Sequence, residues 1–153
     1  MRIDLKAITN ADEAFLFEVY SSTRNQEVDA WGWSVEQKQI FLEMQWRAQH
    51  ASYKQQFPDA SNSIIVVDNQ CVGRLLIKEL QGYHHLIDIS LLPIYQGKGI
   101  GTYVINELLQ KASKGKKAVI LRVFQTNPAR NLYERLGFRV VSVDELYLKM
   151  RWQ

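Results

Sequence analysis

The sequence predicts a mixed α/β fold in which helices flank one central sheet. Residues 64–67 and 71–80 are rich in apolar side chains and are separated by Asp68-Asn-Gln70, which is typical of an antiparallel β-hairpin. Residues 84–138 then alternate strand and helix patterns, an order that favours parallel strands. Because the 153 residues contain no repeat and no low-complexity segment, we expect a single domain over residues 1–153.

The first half of the chain is predicted to contain a strand and two helices before the hairpin. Residues 2–8 alternate like a short strand, a helix follows over residues 10–22, and residues 25–33 are predicted to be irregular. Ser34 and Gln37 form a capping box that begins a long helix, and Pro58 ends this helix near Phe57. Its apolar side chains at helical spacing predict a packing face made of Phe41, Met44, Ala48 and Ala51.

The second half of the chain is predicted to alternate strands and helices. A strand over residues 84–92 is closed by Pro93, and helical spacing of apolar side chains follows over residues 102–112. Residues 118–124 form a nearly continuous apolar strand, and residues 128–136 form a short helix that Gly137 ends. One or two final strands complete the chain over residues 138–152.

Composition narrows the class of protein. The net charge is +3 with scattered Lys and Arg, and no apolar stretch reaches the roughly 18 residues of a membrane span. The first residues lack the pattern of a secretory signal. Cys71 is the only cysteine, and His50, His84 and His85 lack metal-binding spacing. We therefore expect a cytoplasmic protein without a metal, a nucleic-acid partner or a membrane partner.

Three glycines precede the helix at residues 102–112. A strand that ends in a glycine turn and continues into a helix presents backbone N–H groups to one point, which suits a phosphate. The segment Gln96-Gly-Lys-Gly-Ile-Gly101 fits neither the P-loop nor the dinucleotide-binding spacing, and it matches Q/R-x-x-G-x-G instead. For this segment alone, a glycine-rich turn without a ligand is the alternative.

A second motif, NPARNLYERLGF at residues 127–138, lies one strand downstream. With this motif the chain resembles the GNAT superfamily of N-acetyltransferases, most densely over residues 87–138. The resemblance implies a sheet whose central parallel strands splay, and a co-substrate, acetyl-coenzyme A, whose pyrophosphate the glycine turn binds. It implies that backbone groups of Ile89 and Leu91 pair with the pantetheine arm. The other implied cofactor-binding residues are Gln96, Gly97, Lys98, Gly99, Ile100, Gly101, Thr102, Asn127, Ala129 and Tyr133.

The resemblance also implies direct attack of an amine on the thioester. Tyr133 matches the tyrosine that protonates the departing thiolate, and packing on Phe138 is its alternative role. Arg122 occupies the position where many members have a glutamate base, so the candidate bases are His85, Asp88 or a water molecule. The Asn127 motif is one residue shorter than usual, and capping of the following helix is a sufficient local role for Asn127.

The acceptor amine is predicted to meet the loop between the first two helices. Glu27, Asp29, Trp31 and Trp33 would suit a cationic amine, although the tryptophans could instead cover the core while the acids face water. We therefore expect an acetyl-coenzyme A-dependent N-acetyltransferase that acts on a small molecule or a protein, as a monomer or homodimer. The alternative is a catalytically weak acyl-coenzyme A-binding regulatory module. The glycine spacing matches neither the P-loop nor the dinucleotide-binding motif, which disfavours a nucleotide-binding domain.

Overall fold

The computed structural model describes all 153 residues and contains a seven-stranded mixed sheet, which confirms the predicted fold class. The strand order is β1-β2-β3-β4-β5-β7-β6, with β4 and β5 parallel. The strands are β1 Ile3–Ala7, β2 Ser61–Val67, β3 Gln70–Glu79, β4 Tyr83–Leu91, β5 Ala118–Phe124, β6 Arg139–Val143 and β7 Tyr147–Trp152.

Four α-helices and two single 3-10 turns accompany the sheet. The 3-10 turns are Asn10–Asp12 and Pro93–Tyr95. None of the helices combines the length and the apolar character that crossing a membrane requires. The helices are α1 Glu13–Asp29, α2 Val35–Gln56, α3 Ile100–Lys114 and α4 Ala129–Arg135.

Helix α1 is longer than the sequence predicted, because residues 25–29 are helical rather than irregular. No glycine or proline interrupts this stretch before Gly32, whose φ of +70° takes the chain out of the helical conformation. Val28, which is 1% exposed, anchors the last turn in the core. Because burial of the Val28 side chain stabilises this last turn, residues 25–29 continue the helix.

The packing face of α2 also differs from the prediction. Met44 is 60% exposed and Ala48 and Ala51 are exposed, so the predicted face points largely to solvent. The buried side chains are instead Leu42 and Trp46, one helical turn apart. The capping box at its start is confirmed: Gln37 N donates to Ser34 Oγ at 3.1 Å, and Ser34 N donates to Gln37 Oε1 at 3.0 Å.

The chain forms two compact units, and β3 and β4 each run from one into the other. The first unit comprises Met1–Leu75 and Ile89–Gln96. Its core contains Leu16, Trp46 and Ile64, and Phe17 packs edge-on against Trp46 at 5.7 Å between ring centroids. β1 and β2 pair antiparallel in this unit.

The second unit comprises Leu76–Asp88 and Gly97–Gln153. One face of α3 is buried through Val104, Ile105, Leu108, Leu109 and Ala112. β5 pairs antiparallel with β7 over six residues, and β7 pairs antiparallel with β6 across a bulge near Val140. This strand pairing places alternate residues of β5 and β7 on opposite faces of the sheet.

In the first unit, the end of β4 lies unusually close to β3. Leu92 N donates to the carbonyl of Val72 at 2.9 Å. A Cβ atom added at Gly73 would overlap the carbonyl oxygen of Ser90 and would lie 2.8 Å from Leu91 Cδ2. Gly73 is therefore the residue that permits this close approach, a role glycine often has within strands.

We expect Gly73→Ala to destabilise the protein, by about 1–3 kcal/mol, because the new methyl group would meet fixed backbone atoms. Gly115→Ala is the matched control, since a Cβ there has ordinary contacts, the nearest at 3.6 Å. Urea unfolding of both variants measures the difference. If the two variants were equally stable, the close approach would not constrain the strand.

Candidate active site

The glycine turn before α3 has the conformation that its sequence implies. Gly97 and Gly99 have φ angles of +73° and +84°, the left-handed region that disfavours other residues. Gly99 is the N-cap of α3, and its carbonyl accepts from Tyr103 N at 3.0 Å. A Cβ at Gly97 or Gly99 would meet no atom within 4 Å. These glycines are therefore required by backbone conformation within the protein and not by lack of space.

The first turn of α3 presents unsatisfied backbone donors. The N–H groups of Ile100, Gly101 and Thr102 lack an acceptor one turn earlier in the helix, as in any helix start. No side chain caps Gly99, and the first turn contains no acidic residue. Because the helix dipole adds partial positive charge, this terminus of a 15-residue helix is suited to an anion.

The segment leading into the turn is held by two side-chain hydrogen bonds within the first unit. Tyr95 Oη donates to Gln70 Oε1 at 2.8 Å, and Gln96 Nε2 donates to the carbonyl of Leu91 at 3.0 Å. The side chain of Gln96 thus contributes a hydrogen bond to the last residue of β4. Ile89 and Leu91 are among the last three residues of β4 and are half-buried, and Lys98 is exposed.

The parallel pairing of β4 with β5 stops before either strand ends. Four residue pairs are in register, from Tyr83 with Ala118 to Leu86 with Leu121. Residues 87 and 88 continue β4, and residues 122–124 continue β5, without pairing to each other. We call the space between these unpaired residues of the second unit the strand gap. It corresponds to the predicted separation of the two strands.

Asn127 caps the short helix α4. Its Oδ1 accepts from Ala129 N at 2.9 Å, and its own N–H donates to Phe124 O at 3.0 Å. Pro128 stands at the N-cap with no N–H to satisfy. The side-chain oxygen of Asn127 is therefore already used within the chain, as the shortened motif suggested.

Tyr133 is buried at 8% exposure and packs edge-on against Phe138 at 5.7 Å between ring centroids. Burial, and secondly the negative charge of Asp88, raise the pKa of Tyr133 to about 12. The phenol therefore keeps its proton throughout the physiological range. The structure brings Asp88 and Tyr133 together, which their separation of 45 positions in the sequence could not reveal.

His85 lies three positions before Asp88, so its side chain points to the opposite face of β4. Burial lowers the pKa of His85, and the charges of Arg122, Lys149 and Lys78 lower it further. The ring is therefore neutral at pH 7 and able to accept a proton. Arg122 itself has a side-chain exposure of 56%, with its Nη2 3.6 Å from Asp144 Oδ2.

The last turn of α1 carries two neutralised acids, and the loop that follows it carries aromatic side chains. Trp31 and Trp33 are 43% and 44% exposed and pack edge-on with Phe41 in a group of three rings. Glu27 is paired with Arg24 at 3.0 Å, and Asp29 with Lys38 at 2.6 Å. The charge that was expected to attract a cationic amine is thus compensated within the first unit.

Two features of this region were missed by sequence reasoning. Gly73 is on β3, outside every recognised motif, and only the approach of Ser90 and Leu91 reveals its role. The cations around His85 come from three other strands. The alternation in β7 of buried Leu148 and Met150 with exposed Lys149 and Arg151 is a sequence signal that could have indicated a charged face.

Comparison with known proteins identifies relatives of the chain. The model of the acetyltransferase (GNAT) family matches residues 16–138. The [ribosomal protein bS18]-alanine N-acetyltransferase of Haemophilus influenzae is 33% identical over 87 residues, which cover 56% of this chain and 60% of that protein. The thialysine N-epsilon-acetyltransferase of Mus musculus is 37% identical over 71 residues, which cover 45% of this chain and 42% of that protein. The chain thus spans less than two thirds of either relative.

Solved structures share the fold over the whole chain. The PaiA N-acetyltransferase of Thermoplasma acidophilum, in complex with coenzyme A, has a TM-score of 0.75 at 20% identity and covers 100% of this chain and 99% of its own. The ribosomal-protein-S18-alanine N-acetyltransferase of Escherichia coli has a TM-score of 0.66 at 17% identity, covering 99% and 93%. At these identities the likeness concerns the fold alone.

We expect Asp88→Asn to lower the pKa of Tyr133, because it removes a negative charge that disfavours the phenolate. Tyrosinate absorbance during an alkaline titration measures this, with the Tyr133→Phe difference spectrum assigning the signal. Asp144→Asn, which removes an acid that does not act on Tyr133, should leave the pKa unchanged. An equal effect of both substitutions would contradict the proximity of Asp88 and Tyr133.

Proposed function

The chain belongs to the acetyltransferase (GNAT) family, and on that basis we propose that it transfers an acetyl group from acetyl-coenzyme A to a primary amine. The observation that carries the proposal is the uncapped start of α3 after two left-handed glycines, in the unit that also contains the buried, protonated Tyr133. The acceptors named for the two curated relatives are not assigned to this chain, since each match covers only part of the relative.

The start of α3 is proposed to bind the pyrophosphate of coenzyme A. The N–H groups of residues 100–102 supply donors, and Gly97 and Gly99 shape the backbone so that no side chain intervenes. In the family the end of the strand before this turn pairs with pantetheine, so Ile89 and Leu91 are proposed for that contact. Ala129 and Asn127 are also proposed to contact coenzyme A. The side-chain oxygen of Asn127 is used in the helix cap, so its side-chain NH2 group is the part proposed for this contact.

Tyr133 is proposed to stabilise the departing thiolate. The thiol of coenzyme A has a pKa of about 8.5 by analogy with cysteine, whereas the pKa of Tyr133 is about 12. With these two pKa values, complete proton transfer from Tyr133 to the coenzyme A thiolate would be uphill by about 3.5 pKa units, or about 5 kcal/mol. Tyr133 thus acts first as a hydrogen-bond donor to the sulfur, and the proton moves as negative charge develops there.

A neutral His85 is proposed to accept a proton from the acceptor's ammonium group, directly or through water, so that the neutral amine can attack. Its lowered pKa means that the basic form is present at neutral pH and is lost only as the pH falls below its ordinary value near 6.5. Asp88 is proposed to act through Tyr133 and not as the base, because its negative charge adds to burial in raising the pKa of the phenol and so disfavours the phenolate.

The second candidate function is a catalytically weak acyl-coenzyme A-binding regulatory module. It is favoured by Arg122, which replaces the family's frequent glutamate and whose guanidinium stacks 4.2 Å from the centroid of the Tyr147 ring. Both functions require the coenzyme site. Transfer of acetyl groups to a panel of amines, measured alongside coenzyme A binding, separates them because only the enzyme turns over an amine.

We expect Gly99→Val to weaken coenzyme A binding at least about tenfold, because the left-handed turn cannot hold a β-branched residue without moving its donors. Gly32→Val is the matched control, since Gly32 has a similar φ of +70° and open space around it. Calorimetry of both folded variants gives the affinities. An unchanged affinity for Gly99→Val would remove the turn from the coenzyme site.

We expect Tyr133→Phe to lower kcat about 100-fold while acetyl-coenzyme A binding stays nearly constant, because the ring packing is kept and only the proton donor is lost. Tyr83→Phe, at the first residue of β4, serves as the control for loss of a tyrosine hydroxyl. Steady-state kinetics with an acceptor from the amine panel measures kcat for both variants. A variant with wild-type kcat would show that Tyr133 is a packing residue only.

A further inference from the structure

One face of the second unit's sheet carries a continuous group of cations. Arg122 on β5 lies directly opposite Lys149 on β7, and Arg139 on β6 lies directly opposite Arg151 on β7. Lys149 and Arg151 are two positions apart on one strand and share a face. All four side chains are exposed.

His85 belongs to the same face. It is in register with Ile120, and the partner of Ile120 on β7 is Arg151. On β5 and β7 the opposite face is apolar and buried through Leu121, Val123, Leu148 and Met150, so all charged side chains of these two strands lie on one side. We call the charged side the cationic face. Its cations are Arg122, Arg139, Lys149 and Arg151, and the neutral ring of His85 lies on the same side.

This arrangement places like charges next to each other. Like charges directly opposite on neighbouring strands destabilise a sheet, and the cationic face contains two such pairs. Among the four cations, Arg122 is paired with the carboxylate of Asp144 at 3.6 Å, and Arg151 Nε donates to Gln153 O at 3.1 Å. The Asp144 carboxylate also accepts from the N–H groups of Leu146 and Tyr147 at 2.9 and 2.7 Å. Arg139 and Lys149 have no salt bridge to an acid, so much of the positive charge is uncompensated.

The cationic face is located where the strand gap begins. Leu86 and Leu121 form the last pair of β4 with β5; His85 immediately precedes this pair, and Arg122 immediately follows it. Asp88, which acts on Tyr133, points to the other side of β4. A molecule bound on the cationic face would thus approach the strand gap from the side opposite Asp88.

We propose that the cationic face binds an anionic group of the acceptor, so that the acceptor is a small amine that also carries a carboxylate or a phosphate. This inference rests on the proposed acetyl transfer and specifies its substrate class. Charge complementarity supports it, since Arg and Lys are the side chains that bind such groups. A polycationic acceptor would be repelled here, and the acids Glu27 and Asp29 at the end of α1 are already paired with Arg24 and Lys38.

Kinetics with amines that differ only by the anion test the proposal. The pairs are 1,5-diaminopentane with lysine for the carboxylate, and ethanolamine with O-phosphoethanolamine for the phosphate. We expect at least about tenfold higher kcat/KM for the anionic member of one or both pairs, and the pair that responds identifies the anion. Equal values within both pairs, or a preference for the members that lack the anion, would overturn the inference.

Lys149→Glu is the informative variant, because it reverses one charge of the face. It also removes a cation that lowers the pKa of His85, so the readout is the ratio of kcat/KM between the two amines of a pair, in which an effect on the base cancels. We expect it to abolish the preference for the anionic amine and to raise the melting temperature, since it replaces a like-charged pair with an ion pair to Arg122. Arg47→Glu on α2 makes the same change of charge at another exposed site and should change neither property. A preference retained in Lys149→Glu would contradict the proposal.

A measurement without turnover separates this inference from the proposed function. In NMR titrations the pKa of His85, assigned with His85→Gln, should rise when inorganic phosphate or acetate is added, and the rise should be smaller in Lys149→Glu. If no amine is acetylated but the pKa rises as described, acetyl transfer fails and anion binding stands. If amines are acetylated and neither anion changes the pKa of His85, anion binding on this face is refuted.

Discussion

The arrangement of this protein depends on β4, a central strand with β3 on one side and β5 on the other. Its first four residues pair with β5, and its end is drawn onto β3 by the bond from Leu92 N to Val72 O and by the absence of a side chain at Gly73. A central strand uses one side for each neighbour, so the contact with β3 and the pairing with β5 are separate interactions. The close approach at Gly73 lies on the β3 side of β4, and the strand gap lies on its β5 side.

Burial acts on the two proposed proton carriers in a complementary way. It disfavours the charged form of each, so Tyr133 stays a neutral phenol and His85 stays a neutral imidazole. The nearby charges strengthen each effect, because an acid acts on the phenol and cations act on the imidazole. A donor and an acceptor thus coexist at the same pH, an arrangement that acid–base catalysis requires.

Local patterns in the sequence predicted most of the fold. The capping box at Ser34, the strand at residues 118–124 and the hairpin turn at Asp68 and Asn69 depend on neighbouring residues, and the structure has them as predicted. The end of α1 and the buried face of α2 were predicted wrongly because tertiary packing of Val28, Leu42 and Trp46 decides them. The conformation of Gly99 follows from its motif, whereas the proximity of Asp88 to Tyr133 arises only when distant segments fold together.

The like-charged pairs of the cationic face give ionic strength two opposite effects on the same residues. The Debye length is about 8 Å at physiological salt, so exposed charges on adjacent strands are partly screened from each other. Added salt relieves the repulsion between Arg122 and Lys149 and so favours the folded sheet. It also weakens the attraction of that face for any anion in solution. The conditions that best preserve this sheet are therefore not those in which its charged face is most attractive.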